Sequence, residues 1–188
     1  MVRLPREFYL RDTVRVARDL LGKVVMRRTA DGWLAGRIVE TEAYHGPLDA
    51  ASHAHRGETP RNAPMFGEGG FAYVYQVYGV WVCLNAVTRE AGFPAAVLVR
   101  AIAPVSEGGL LETRTGAGPG KLCRALGIDK RLSGLNLVSS PELWFADDGV
   151  RARRISAGPR VGVDYAGLWA QKPWRFWIAG NASVSRKG

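Results

Sequence analysis

Apolar residues change their spacing several times along this chain, and each change marks an element. Asp12, a good N-cap, precedes Val14, Ala17 and Leu21 at helical spacing, and Gly22 ends the run, which predicts a short amphipathic helix. Residues 23–29 and 33–44 are β-rich, and Asp31-Gly32 between them supplies the positive φ of a tight turn, so the two runs read as paired strands. From 45 to 70 the periodicity vanishes and Gly, Pro, Asn and His dominate; a loop this long in a compact domain is expected to be functional. Runs at 71–77, 81–88 and 95–104 give three further strands, with turn signals at Tyr78-Gly79 and over 90–94. A Gly-rich connector over 105–119 leads into a second short helix carrying Leu122, Cys123 and Leu126. Strands are expected around Leu143 and Arg151, hinged at Asp148-Gly149. The pattern of Trp169, Trp174, Phe176, Trp177 and Ile178 reads as sheet and core. Strands mostly adjacent in sequence, with helices added, indicate an α+β fold. The 188 residues, 47% hydrophobic, suit a single compact domain over 1–188.

Composition narrows the partner. No stretch approaches the roughly 18 apolar residues of a membrane span, and Met1-Val2-Arg3-Leu4-Pro5-Arg6 lacks the apolar run of a signal peptide. An intracellular protein without membrane contact is therefore expected. A formal charge of +9 and an isoelectric point near 10.1 favour a polyanion, nucleic acid first, although an evenly solvated basic surface would give the same charge. Cys83 and Cys123 stand far apart in apolar segments and read as reduced, buried small hydrophobes.

Several motifs lead nowhere. Gly116-Ala117-Gly118-Pro119-Gly120-Lys121-Leu122 imitates a phosphate-binding loop, but Thr115 stands where the first glycine belongs and Leu122 replaces the magnesium-binding hydroxyl, which excludes nucleotide hydrolysis. A Gly-rich turn feeding a helix at Gly120-Lys121 can still hold one backbone phosphate, with an ordinary helix cap as the equal alternative. His45, His53 and His55 lack a cysteine pair or a two-histidine helical motif, so no metal and no cofactor are expected. The ligand-x-Glu and Pro-Cys-x-x-Cys signatures of zinc deaminases are absent.

The informative segment is Arg37-Ile38-Val39-Glu40-Thr41-Glu42-Ala43-Tyr44, where an apolar strand ends in two carboxylates and a tyrosine. On a strand, Glu40, Glu42 and Tyr44 share one face. Two carboxylates on one face suit acid–base work, and a solvated strand face is the plainer alternative. His53 in the irregular loop, Tyr73 and Tyr75 on one strand face, and Asn85 and Arg100 on the following strands could line one aromatic, polar-tipped pocket with them. Such a pocket suits a planar, electron-poor guest such as an alkylated purine.

The chain resembles the alkyladenine (3-methyladenine) DNA glycosylase family. The resemblance runs through Glu40-Thr41-Glu42-Ala43-Tyr44, Thr59-Pro60-Arg61-Asn62, Met65-Phe66, Tyr73-Val74-Tyr75, Tyr78-Gly79, Leu98-Val99-Arg100-Ala101 and Lys121-Leu122-Cys123, in order over nearly the whole chain. It implies a curved, mainly antiparallel sheet with a protruding hairpin and surrounding short helices. It also implies a monomeric, DNA-associated repair enzyme that flips alkylated or deaminated purines out of duplex DNA and hydrolyses the N-glycosidic bond. By the same resemblance Glu42 activates the attacking water, Glu40 is supporting or structural, and Arg100 helps hold the water or a nearby phosphate. Tyr44, His53 and Tyr75 sandwich the flipped base, and Asn85 excludes normal guanine. Tyr78 wedges into the minor groove, with Gly79, Arg61 and Lys121 as further DNA contacts. Asp164-Tyr165 replaces a more usual small or His-containing pair near Val161-Gly162-Val163, whose backbone is expected to contact the attacking water.

A register count tests the shared pocket. A two-residue turn at Tyr78-Gly79 would put Asn85 on the face opposite Tyr75, whereas a three-residue turn including Val80 brings them together. The three-residue turn is the expectation. The rival is a non-catalytic binder in which Tyr73, Tyr75 and His53 stack single-stranded bases; it accounts for charge and aromatics but gives no reason for Glu42 beside the stack.

Overall fold

In the computed structural model, which describes residues 1–105 and 116–186, the two long β-rich runs become the middle of one curled antiparallel sheet. Its strands in chain order are β1 (Val2–Arg3), β2 (Val24–Thr29), β3 (Gly32–His45), β4 (Ala72–Val77), β5 (Trp81–Val87), β6 (Ala95–Pro104), β7 (Gly116–Ala117), β8 (Leu143–Asp147), β9 (Ile155–Gly158) and β10 (Arg175–Ile178). Three short α-helices accompany it, α1 (Arg6–Tyr9), α2 (Thr13–Asp19) and α3 (Pro119–Ala125), with 3-10 turns at Ala63–Phe66, Lys130–Leu132 and Asp164–Trp169. This is an α+β architecture, and no helix among the described residues is long and apolar enough to cross a membrane.

The main path of the sheet runs β1-β8-β2-β3-β6-β5-β4. β3 is the spine. Its first half pairs with β2, from Val24↔Arg37 to Thr29↔Gly32, and β10 takes over along its second half, pairing Arg175 with Glu42 and Trp177 with Glu40. β6 lies along the other edge, with a register irregularity around Glu40. Alternation along β3 then sorts its side chains. Thr41 and Ala43 face the core, where the Thr41 hydroxyl donates to the Ala17 carbonyl of α2 at 2.8 Å. Glu40 and Glu42, on the other face, are free to meet polar partners.

The expected first helix is α2, capped by the Asp12 carboxylate, which accepts from the Arg15 N–H at 3.0 Å. Its apolar side, Val16 and Ala17 with the following Leu20, joins the core beneath β3. The β2–β3, β4–β5 and β5–β6 pairings follow the predicted runs. The expected strand around Arg151 does not form. Side chains take the backbone donors there, Asp147 accepting from Gly149 N–H at 2.9 Å and Asp148 from Val150 N–H at 3.1 Å, so no ladder can start before Ile155. The Trp-rich C-terminal pattern divides: Trp169 ends a 3-10 turn, Trp174 lies in a loop, and only Arg175–Ile178 is strand. The Gly-rich connector falls mostly outside the described residues.

Candidate active site

Glu42 is fully buried at the point where β6 and β10 flank β3. Burying a carboxylate is costly unless donors replace its lost water, and three groups do so here. Val161 N–H donates to Oε1 at 2.7 Å, Tyr44 O–H donates to Oε2 at 2.9 Å, and Arg100 Nη1 stands 3.3 Å from Oε1. Desolvation still dominates, so the Glu42 pKa is raised above the ordinary 4.5, with Arg100 the leading opposing influence. The result is a carboxylate that is more basic than a surface one and has a fixed orientation.

Glu42 sits behind an aromatic cavity, whose lining includes its three partners Tyr44, Arg100 and Val161. A space of 290 Å³ is lined by Tyr44, His53, Arg61, Tyr75, Tyr78, Asn85 and Arg100, together with Cys83, Val161 and Tyr165. The β4–β5 hairpin accounts for the grouping. Val77 pairs with Trp81 across a three-residue turn, and Tyr73 pairs with Asn85, so Tyr73, Tyr75 and Asn85 share one face, as the register count required. Asn85 Nδ2 donates to the Tyr73 carbonyl at 2.9 Å, which holds the amide at the cavity wall. Tyr75 and His53 meet edge to face at 4.5 Å between ring centroids, and His53 Nδ1 lies 2.9 Å from the Tyr73 hydroxyl. Partial desolvation and the Arg61 charge lower the His53 pKa below 6.5, which favours the neutral ring at pH 7.

His53 belongs to the irregular loop, and that loop is pinned. Asn62 Nδ2 donates to the carbonyls of His53 and Gly57 at 2.9 and 3.0 Å. Asp49 accepts from Ala51 N–H at 3.1 Å and binds Arg160 through both carboxylate oxygens, at 2.5 and 2.8 Å. Asp49 and Arg160 are both wholly buried. The Arg160 guanidinium also lies 4.8 Å from the Tyr44 ring centroid and donates to the Ala43 carbonyl at 2.9 Å. Since Val161 follows Arg160, this buried pair orients the N–H that Glu42 accepts. Asp49 and Arg160, separated by 111 positions, were not anticipated as partners.

The remaining candidates lie at the edge. Tyr78 is 92% exposed at the hairpin tip with φ 51°, followed by Gly79 at φ 70°. The left-handed pair turns the strand and leaves the phenol unsupported by neighbours. Arg61 stands against the Tyr75 ring and donates to the Gln76 carbonyl at 2.8 Å. Lys121 is exposed on α3, outside the cavity lining, although Pro119 of the same helix reaches it. α3 sits close to the hairpin because Gly120 has no side chain; a Cβ there would come within 2.4 Å of the Trp81 ring. Among the described residues no three His, Cys, Asp or Glu side chains are grouped to hold a metal, and both cysteines are free and buried.

Comparison with known proteins gives this geometry a lineage. A family model described as methylpurine-DNA glycosylase (MPG) matches residues 7–182. A protein of Anaeromyxobacter sp. (strain Fw109-5), provisionally named a 3-methyladenine DNA glycosylase, is 54% identical over 98% of this chain and 93% of its own. Proteins with the same provisional name in Methanocella arvoryzae and Myxococcus xanthus are 47% and 46% identical, covering 98% and 97% of this chain and 96% and 93% of theirs. Similarity of this extent, over a buried carboxylate beside an aromatic cavity, establishes that the chain belongs to the methylpurine-DNA glycosylase family, enzymes that act on DNA.

Proposed function

We propose that this single-domain, monomeric enzyme flips an alkylated or deaminated purine nucleotide (3-methyladenine, 7-methylguanine, hypoxanthine or ethenoadenine) into the cavity and releases the base by hydrolysis. The observation that carries the reading is the buried Glu42 carboxylate, held by Val161 N–H, Tyr44 and Arg100 beside a slot of aromatic rings. Glu42 takes a proton from water as the water oxygen bonds to the sugar C1′. The C1′–N bond breaks with its electron pair passing to the base. A cationic base leaves as a neutral molecule, whereas a neutral lesion needs a proton from elsewhere. Tyr44, His53 and Tyr75 stack on the base, Arg100 holds the water or a neighbouring phosphate, and Asn85 meets the purine edge where the amine of normal guanine would clash. No lysine lines the cavity among the described residues, which supports hydrolysis without strand cleavage through a Schiff base.

Single-lesion duplexes test the reaction. Free base is expected from duplex carrying 7-methylguanine or hypoxanthine, with the strand intact until alkali is added. The base must be ionised to work, and its pKa is raised above 4.5, so the rate on a cationic lesion falls as pH drops, with a midpoint above 4.5. The same shift has an opposite sign for stability. Glu42 contributes fully below 4.5, and that contribution is lost as pH rises through its folded value. Preference for single strands over a duplex with an abasic-site analogue, with no base released, would mark a stacking binder instead.

Tyr78 is the wedge that fills the gap left by the extruded nucleotide, with Gly79, Arg61 and Lys121 as adjoining DNA contacts. Tyr78→Ala is expected to weaken binding to an abasic-analogue duplex about 10- to 100-fold, the loss of one stacked ring. Because the phenol is exposed, the melting temperature should stay at the parental value. Unchanged affinity in a titration would remove Tyr78 from this role.

A further inference from the structure

Behind Glu42, a second buried carboxylate has partners that the cavity does not explain. Glu40 is fully buried, and its Oε1 accepts from Arg100 Nε at 3.2 Å and from Arg175 Nη1 at 3.1 Å. Its Oε2 accepts from the main-chain N–H of Ser185 at 2.6 Å. The segment makes two more contacts: Arg100 Nη2 lies 3.4 Å from the Ser185 hydroxyl, and Arg175 Nη1 donates to the Arg186 carbonyl at 3.1 Å. Glu40, Arg175 and Ser185 do not line the cavity, and residues 183–186 lie beyond the 7–182 span of the family match.

We infer that residues 183–186 are a positioning element for catalysis: the Ser185 N–H fixes Glu40, Glu40 fixes Arg100, and Arg100 is thereby held against Glu42. The inference rests on the reading of Glu42 as the base. Two carboxylates and two guanidiniums are balanced in this cluster, and each arginine has a shared carboxylate oxygen as its pivot. Such a cluster tolerates burial only while every donor is matched. Removal of the Ser185 N–H leaves Oε2 without its donor, so the carboxylate can rotate and release Arg100. Glu42 faces Glu40 and Tyr44 on its own strand, Arg100 on β6, Arg175 on β10, Val161 N–H beyond β9, Tyr75 on β4 and Cys83 on β5. Arg100 is the strongest influence among them opposing the raised pKa, so loosening it raises Glu42 further.

The test uses full-length protein and single-turnover excision of a cationic lesion across pH. Ser185→Pro removes the N–H and should lower the rate at pH 7 by up to about 10²-fold, the scale of a small misplacement. It should also move the acid limb to higher pH and leave KM unchanged. Ser185→Ala, which retains the N–H, should restore both rate and profile. Ser185→Asp leaves the main chain intact even if the proline variant folds poorly. Its carboxylate, beside Arg100 Nη2, should draw that guanidinium away and shift the acid limb in the same direction. Parental profiles in both the Pro and the Asp variants, with Glu42→Gln inactive, overturn the positioning role and leave the reading of Glu42 standing. A fully active Glu42→Gln instead removes the reading itself.

Discussion

Glu42→Gln is expected to lower single-turnover base release by about 10²- to 10⁴-fold, the range supplied by a positioned general base. The substitution changes little else. The amide oxygen can keep the Val161 N–H and Arg100 on one side, and the Tyr44 hydroxyl can rotate to accept from the amide on the other. Affinity for lesion-bearing duplex should therefore hold or improve, since a buried negative charge near the phosphates is gone. The replacement also abolishes the acid limb of the rate profile, because the group that titrates is no longer present. Excision at the parental rate by the variant, measured on the same duplex, would end the case for Glu42 as the base.

The second large effect is on stability. Asp49→Ala is expected to cost about 3–5 kcal/mol, because it leaves the wholly buried Arg160 without its counterion. It also removes the acceptor for Ala51 N–H and His45 N–H, the latter at 3.2 Å. At this size each kcal/mol shifts the melting temperature by roughly 2–4 °C, so a fall of roughly 6–20 °C should be visible by circular dichroism. Replacing both partners with apolar residues, Asp49→Leu with Arg160→Met, should lose less than the single change, because no charge is stranded. A single variant as stable as the parent would show that the ion pair is not needed to keep Arg160 buried.

Local pattern made much of this molecule legible. β-rich runs bounded by turn signals located β2 to β6, the missing periodicity marked the loop that delivers His53, and counting residues through the turn put Asn85 on the face of Tyr75. Those features depend on neighbours in sequence, and sequence shows neighbours well. The plain alternative for Glu40 and Glu42, a solvated strand face, fails because Arg100, Arg175 of the neighbouring β10, the Val161 amide and the 183–186 segment close over that part of β3, and these contacts have no local signature. The Asp49–Arg160 pair was hidden for the same reason, whereas the Val161 backbone was reached through the family resemblance, as a contact to the water rather than to Glu42 itself. The missing strand at Arg151 failed the other way: its composition suited a strand, but side-chain acceptors at Asp147 and Asp148 had already claimed the amides.

The wide separation of Glu42 from its supporting groups bears on how the enzyme is made. A growing polypeptide that has emerged as far as residue 105 already contains Tyr44, His53, Tyr75, Tyr78, Asn85 and Arg100, yet the amide of Val161 and the covering strand β10 have still to be synthesised. On the proposed reading, hydrolytic competence cannot precede synthesis of Val161 and of β10. A chain ending between Arg100 and Val161 could carry the aromatic slot and the wedge but not a finished base, and so would be unable to cut the bond it was built to recognise.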